Sequence, residues 1–165
     1  MYGCSSNSKE EKENVIINQI TKEVAEQIKQ KYDMHLVGTG SGENKGINML
    51  GISFAIYRPL KRDEIRPLII AASQLFLEKI NSAEGLRPFL KKYPFTIENI
   101  KIFYTAYSSK NVEPVFDPYI AGGFLDKTHI TYLTHGPKDR YQYNSEYTEK
   151  YEEAFEIVDK QKANL

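Results

Sequence analysis

The chain has 165 residues, 41% hydrophobic and 27% charged, which suits one folded domain and excludes a disordered polymer. Its 22 Lys and Arg balance its 22 Asp and Glu, so it lacks the basic excess with which a dedicated nucleic-acid binder neutralises phosphates. One cysteine, Cys4, excludes an intramolecular disulfide and a cysteine-built zinc cluster, and no apolar run reaches the about 18 residues that a membrane span needs.

Residues 1–12 are polar and charged and read as a flexible tether ahead of a single α+β domain over residues 13–162. An amphipathic helix is predicted from about Val15 to Tyr32, because Ile16, Ile20, Val24, Ile28 and Tyr32 recur every fourth residue. A hairpin follows: His35–Thr39 and Ile47–Tyr57 flank the linker Gly40–Gly46, whose glycines permit a tight reversal. In its second strand Leu50, Ile52, Phe54 and Ile56 face one way. Gly51, Ser53 and Ala55 face the other, leaving room for a closely packed helix on that side.

Pro59 ends the strand, and Asp63 is the expected N-cap of a second helix. That helix carries Ile65, Leu68, Ile69, Ile70, Leu75, Phe76 and Ile80, is apolar around most of its girth, and reads as the central one. Gly85–Leu90 suggests a short turn plugging one end of the core. Three strands are expected next, over Ile97–Tyr107, Val112–Leu125 and Thr128–His135. Pro114 and Pro118 mark the second of these as an edge or irregular strand, and Asp126-Lys127 reads as a two-residue hairpin loop. A final helix is predicted from about Ser145 to Lys160, on the step Tyr147, Tyr151, Ala154, Phe155, Val158. The order α-β-β-α-β-β-β-α implies a largely antiparallel sheet of about five strands packed against helices.

Few groups point to chemistry, and no catalytic residue, metal or cofactor is assigned. Gly38-Thr39-Gly40-Ser41-Gly42 lacks the Lys-Ser/Thr ending of a phosphate loop and the third glycine of a dinucleotide fingerprint, so it reads as hairpin. His129 and His135 would lie on one face of a strand but about 20 Å apart, too far to share a metal. Asp117 and Asp126 fit turn geometry better than acid–base work. Arg58, Lys61, Arg62 and Arg66 lean basic, while Glu146, Glu149, Glu152, Glu153, Glu156 and Asp159 lean acidic; both groups read as solvated. Tyr104, Tyr107 and Tyr132, with His129 and His135, form a candidate binding surface, because tyrosine offers rigid apolar area with a polar tip. Core packing is the competing role for the tyrosines.

The start Gly3-Cys4-Ser5-Ser6-Asn7-Ser8 resembles the junction at which bacterial lipoproteins are cleaved and acylated. Together with the segments NQITKEVAEQIKQKY, HLVGTGSG and LRPFLKKYPFT, it makes the chain similar to small uncharacterised bacterial lipoproteins. That resemblance implies lipidation of Cys4, a membrane as partner through the lipid, a cell-envelope location and no known activity. An ordinary tail cysteine is the alternative. The expected function is a lipid-anchored module that binds a protein or a small molecule. Two alternatives stay open: a soluble enzyme drawing on His129, His135, Arg58 and Asp117, and a cytosolic interaction module.

Overall fold

A computed structural model describes residues 5–137 and 139–165, with side chains from residue 8 onward apart from residue 140. The elements run α1 (Ser5–Tyr32), β1 (Met34–Glu43), β2 (Ile47–Ile56), α2 (Arg62–Ser82), β3 (Ile100–Ala106), β4 (Gly122–Asp126), β5 (His129–Gly136), β6 (Asp139–Lys150) and α3 (Tyr151–Ala163). The protein is α+β. Its sheet has six strands in the order β1-β2-β3-β4-β5-β6. Every neighbouring pair is antiparallel except β2 and β3, which run parallel because α2 carries the chain back between them.

The helices form one layer on one face of the sheet. α2 lies in the middle, touching α1 on one side and α3 on the other, with α1 over β1 and α3 over β6. The strand pleat selects that face: Leu50, Ile52, Phe54 and Ile56 of β2 pair laterally with Ile100, Ile102, Tyr104 and Ala106 of β3, and all eight are buried. From the helices come Ile20, Val24 and Ile28 of α1 and Ile65, Ile69, Ile70, Ala72, Phe76 and Ile80 of α2. A single-turn 3-10 helix at Arg87–Phe89 closes one end of this core, with Leu86 fully buried beneath it.

The opposite face of the sheet carries Gly51 and Ser53 on β2 and the exposed Phe103 and Thr105 on β3. The expectation of a helix packed on the Gly51, Ser53, Ala55 side is therefore corrected. Apolar area decided the matter: the four large side chains of β2 have more to gain by burial than the small set.

Several boundaries also differ. α1 begins at Ser5 rather than near Val15, so residues 5–12 of the expected tether are helical. Lys and Glu are good helix formers, and Lys9 pairs with Glu13 one turn on at 3.9 Å, so this stretch extends the helix without an apolar stripe. β1 runs on through Gly40–Glu43, and the reversal is confined to Asn44-Lys45-Gly46, where Lys45 and Gly46 take positive φ values of 55° and 112°. α2 is capped at Lys61, not Asp63, with Glu64 accepting the Lys61 N–H at 3.2 Å. The prolines keep Val112–Ala121 out of the ladder, so β4 is short. It is also internal, lying between β3 and β5. Its turn to β5 falls at Lys127-Thr128 instead of Asp126-Lys127.

The largest correction is β6, the sixth strand. Residues 145–150, which the sequence pattern assigns to the start of the last helix, pair with β5, and α3 starts at Tyr151. Tyr143, Tyr147 and Tyr151 satisfy a helical period of four, yet Ser145, Tyr147 and Glu149 also satisfy a strand period of two. Pairing with β5 selects the second.

Candidate binding cleft at the start of α2

The face of β6 that meets the helices carries Ser145, Tyr147 and Glu149, opposite Thr134, Tyr132 and Ile130 of β5. α2 begins directly beside this strip. Between them is a cleft of about 290 Å³. Its floor is the Tyr132 ring; one wall is the first turn of α2, Lys61 to Asp63, and the other is Thr134, Ser145 and the Asp117-Pro118 loop.

The floor is fixed by a buried polar network. Arg66, one turn into α2, donates to both oxygens of Glu149, from Nε at 2.7 Å and from Nη2 at 3.1 Å. Its Nη1 donates to Asp63 at 2.9 Å. The Tyr132 hydroxyl donates to the same Glu149 carboxylate at 2.6 Å. Arg66, Tyr132 and Glu149 are each buried, so their polar groups answer one another rather than solvent. Burial, followed by the bond to the Glu149 carboxylate and that carboxylate's charge, raises the Tyr132 phenol well above its ordinary value. For the Arg66 guanidinium, burial opposes the charge, but the Glu149 contact outweighs it and the net shift is upward. Both groups thus hold their protons across the whole physiological range.

The rim remains available to a ligand. The Arg62 guanidinium lies over the Tyr147 ring at 3.8 Å, a cation–π contact that holds the charge at the cleft mouth. Thr134 and Ser145 hydroxyls bond each other at 2.6 Å across the two strands. The first N–H groups of a helix have no partner within it, and they carry its partial positive charge, here at the cleft wall. Lys61, Arg62 and the start of α2 would receive an anionic group, while Asp117, which accepts from Asn144 at 3.1 Å, offers a carboxylate to a donor.

The residues singled out from sequence fare unevenly. Cys4 lies outside the described residues. Tyr104 and Tyr132 are 3% and 1% exposed: Tyr104 is a core residue rather than the surface residue expected, whereas Tyr132 is buried as the floor of the cleft. Both stand on the helix-facing side, where Tyr104 donates to the Thr131 carbonyl at 2.9 Å. Tyr107 is half-buried and stacks on Tyr57 at 5.9 Å. His135 stacks on Tyr143 at 5.2 Å, and His129, at the far end of β5, bonds the Thr128 hydroxyl at 3.0 Å. These five residues do not form one surface.

Nor do the four groups considered for an enzyme converge. The Asp117 N–H donates to the His135 carbonyl at 3.0 Å, but Arg58 is bound to the carbonyls of Tyr32 and Asp33 beyond β2. His129 is six residues along the strand from His135. No group of three or more His, Cys, Asp or Glu able to hold a metal occurs among the described residues.

Arg66 and Glu149, which the sequence pattern places among solvated charges, are buried. One signal was available: Arg66 stands between Ile65 and Leu68 in a helix apolar around its girth, and a charge placed there requires a partner. Comparison with known proteins gives no match to any family model, curated protein or solved structure.

Proposed function

We propose that this chain is a binding module of the cell envelope, anchored by a lipid on Cys4, and that the cleft at the start of α2 takes a small ligand bearing an anionic group. The anchor rests on the likeness of Gly3-Cys4-Ser5-Ser6 to a lipoprotein junction. The observation that carries the binding role is the Arg62 guanidinium held over the Tyr147 ring at the cleft mouth, beside Lys61 and the bonded Thr134 and Ser145 hydroxyls. Beneath them the Glu149 carboxylate is taken up by three hydrogen bonds from Arg66 and Tyr132. Cations, hydroxyls and an aromatic wall set around a rigid floor suit recognition.

Intact-mass analysis of the N-terminal peptide from the native organism tests the anchor. A lipid-modified Cys4 with nothing before it supports the reading, and an unmodified Met1-Tyr2-Gly3-Cys4 overturns it. The cleft is tested by thermal-shift measurement against a panel of small carboxylates and phosphates. Stabilisation that disappears in Arg62→Ala supports the site; stabilisation that survives the substitution moves the ligand elsewhere.

A further inference from the structure

The end of the molecule nearest the start of α1 brings together basic, aromatic and apolar side chains. After α2 the chain runs Gly85-Leu86-Arg87-Pro88-Phe89-Leu90-Lys91-Lys92-Tyr93-Pro94, with three basic residues and no acidic one. Arg87, Lys91, Lys92 and Tyr93 are exposed. Arg87 stacks its guanidinium on the Tyr93 ring at 4.1 Å and donates to the Tyr93 hydroxyl at 3.0 Å, so charge and aromatic ring are presented together. The Lys91 N–H donates to the Ile47 carbonyl at 2.8 Å, which pins this loop beside the β1–β2 turn and its exposed Lys45.

Next to this loop lies an apolar groove of about 540 Å³ between α1 and the 3-10 turn, lined by Val15, Ile16, Pro88 and Phe89. Val15 is 66% exposed. Lys9 sits over the Phe89 ring at 5.8 Å at the groove's rim, where Glu11 and Lys12 also stand. The first described residue, Ser5, is less than one helical turn from Ser8, which lines the same groove. Whatever precedes Ser5 is therefore joined to the protein at this end.

We infer that this end, the Arg87–Tyr93 loop with Lys9, Lys45 and the groove of Val15, Ile16, Pro88 and Phe89, is a docking surface for an anionic phospholipid bilayer. Three features fit that partner. Basic side chains would meet the negative surface of the bilayer. Tyr93 is of the residue type that settles at the headgroup level. Exposed apolar groups, framed by long lysine stems, would sit at the acyl boundary. Glu10, Glu11 and Glu84 bound the patch on its helical side, Glu13 pairs with Lys9, and the exposed Glu43 stands two residues from Lys45, which leaves the 87–93 loop as its attractive part. The choice of a membrane rests on the envelope reading above, but the surface is separable from the anchor, since it is formed by the folded chain without lipid.

The test uses the full chain with Cys4→Ser, so that no acyl group can contribute, and vesicles of phosphatidylglycerol and phosphatidylcholine or of phosphatidylcholine alone. Cosedimentation is expected with the anionic vesicles only, to be weakened by 0.5 M salt, and to fall at least tenfold in Lys91→Glu/Lys92→Glu. Reversing Lys150 and Lys160, on β6 and α3, is the control for net charge and should leave binding within about twofold. Absence of binding, equal binding to neutral vesicles, or equal loss in the control overturns the surface. Circular dichroism of each variant identifies any that misfolds, and Lys91→Gln/Lys92→Gln then replaces the reversal. The lipid on Cys4 is judged by mass alone, so failure of the anchor and failure of the surface are distinguishable.

Discussion

Arg66 on α2 and Glu149 on β6, 83 residues apart, form a two-bond ion pair at 2.7 and 3.1 Å with both side chains out of water. The pair ties the central helix to the edge strand. It fixes which face of β6 turns inward, because a one-residue slip would carry Glu149 to the other side.

Removing one partner leaves the other charged and buried, so Arg66→Ala or Glu149→Ala should each cost about 3–5 kcal/mol. Replacing both by apolar residues of similar volume, Arg66→Met with Glu149→Leu, should recover most of that loss, less the bond owed to Tyr132. Urea denaturation midpoints of Arg66→Met, Glu149→Leu and the double variant that combines them give the coupling directly. Additive losses would mean that the pair contributes no mutual stabilisation.

Glycines in the sheet separate into two kinds. A Cβ at Gly123 would fall within van der Waals overlap of the Thr131 carbonyl and the Tyr104 hydroxyl, the two ends of one buried hydrogen bond. A Cβ at Gly40 meets nothing within 4 Å. Gly123→Ala should therefore break the Tyr104 bond and destabilise by more than about 2 kcal/mol. Gly40→Ala should be neutral or stabilising by up to about 1 kcal/mol, through lower unfolded-state entropy. Thermal melting of the two variants side by side checks this.

What was legible in the sequence follows from where one period dominates. Ile20, Val24 and Ile28 fit only a helix, and Leu50, Ile52, Phe54 and Ile56 fit only a strand; both elements appear with those faces buried. β6 was not legible, because its tyrosines fit both periods and the choice lies in β5, a tertiary partner. The cleft was hidden for the same reason. Ser145, Tyr147 and Glu149 share an inward face only once β6 is a strand. The parallel pairing of β2 with β3 likewise depends on the path of α2, which local pattern does not encode.

In the N-terminal half of α1, Glu13 is buried beside the Glu43 carboxyl of β1, where a bond between the two requires one of them to be protonated. Burial first, then that bond and the Glu43 charge, raise the Glu13 carboxyl above its ordinary value of 4.5. A raised carboxyl binds its proton more tightly folded than unfolded. Its stabilising contribution is full below the unfolded value and is lost as pH climbs through the folded one. Glu13→Gln, which keeps a neutral donor, should raise the melting temperature near pH 7.5 and flatten its rise on acidification to about pH 5. A variant that melts below the parent at pH 7.5 would show that the Lys9 pair at 3.9 Å outweighs the carboxyl contact.

Three buried phenols supply the last test. Burial raises Tyr104, Tyr132 and Tyr151 above their ordinary value of 10.0; Tyr132 gains more from Glu149, while the Ser73 hydroxyl, at 2.8 Å, opposes the rise at Tyr151. A phenol raised in the folded state favours folding below its unfolded value and loses that contribution as pH rises past it. The chain contains no tryptophan and 12 tyrosines, so the rise in near-ultraviolet absorbance on alkaline titration reports tyrosinate alone. Alkaline titration should leave three tyrosines silent until the fold gives way, and they should then ionise together with the loss of near-ultraviolet circular dichroism. Tyr132→Phe should reduce the late step by one tyrosine and lower the pH of collapse, because Glu149 loses a donor that no water replaces. Smooth ionisation of all 12 with the fold intact would mean that these hydroxyls reach solvent and that the Glu149 network is open.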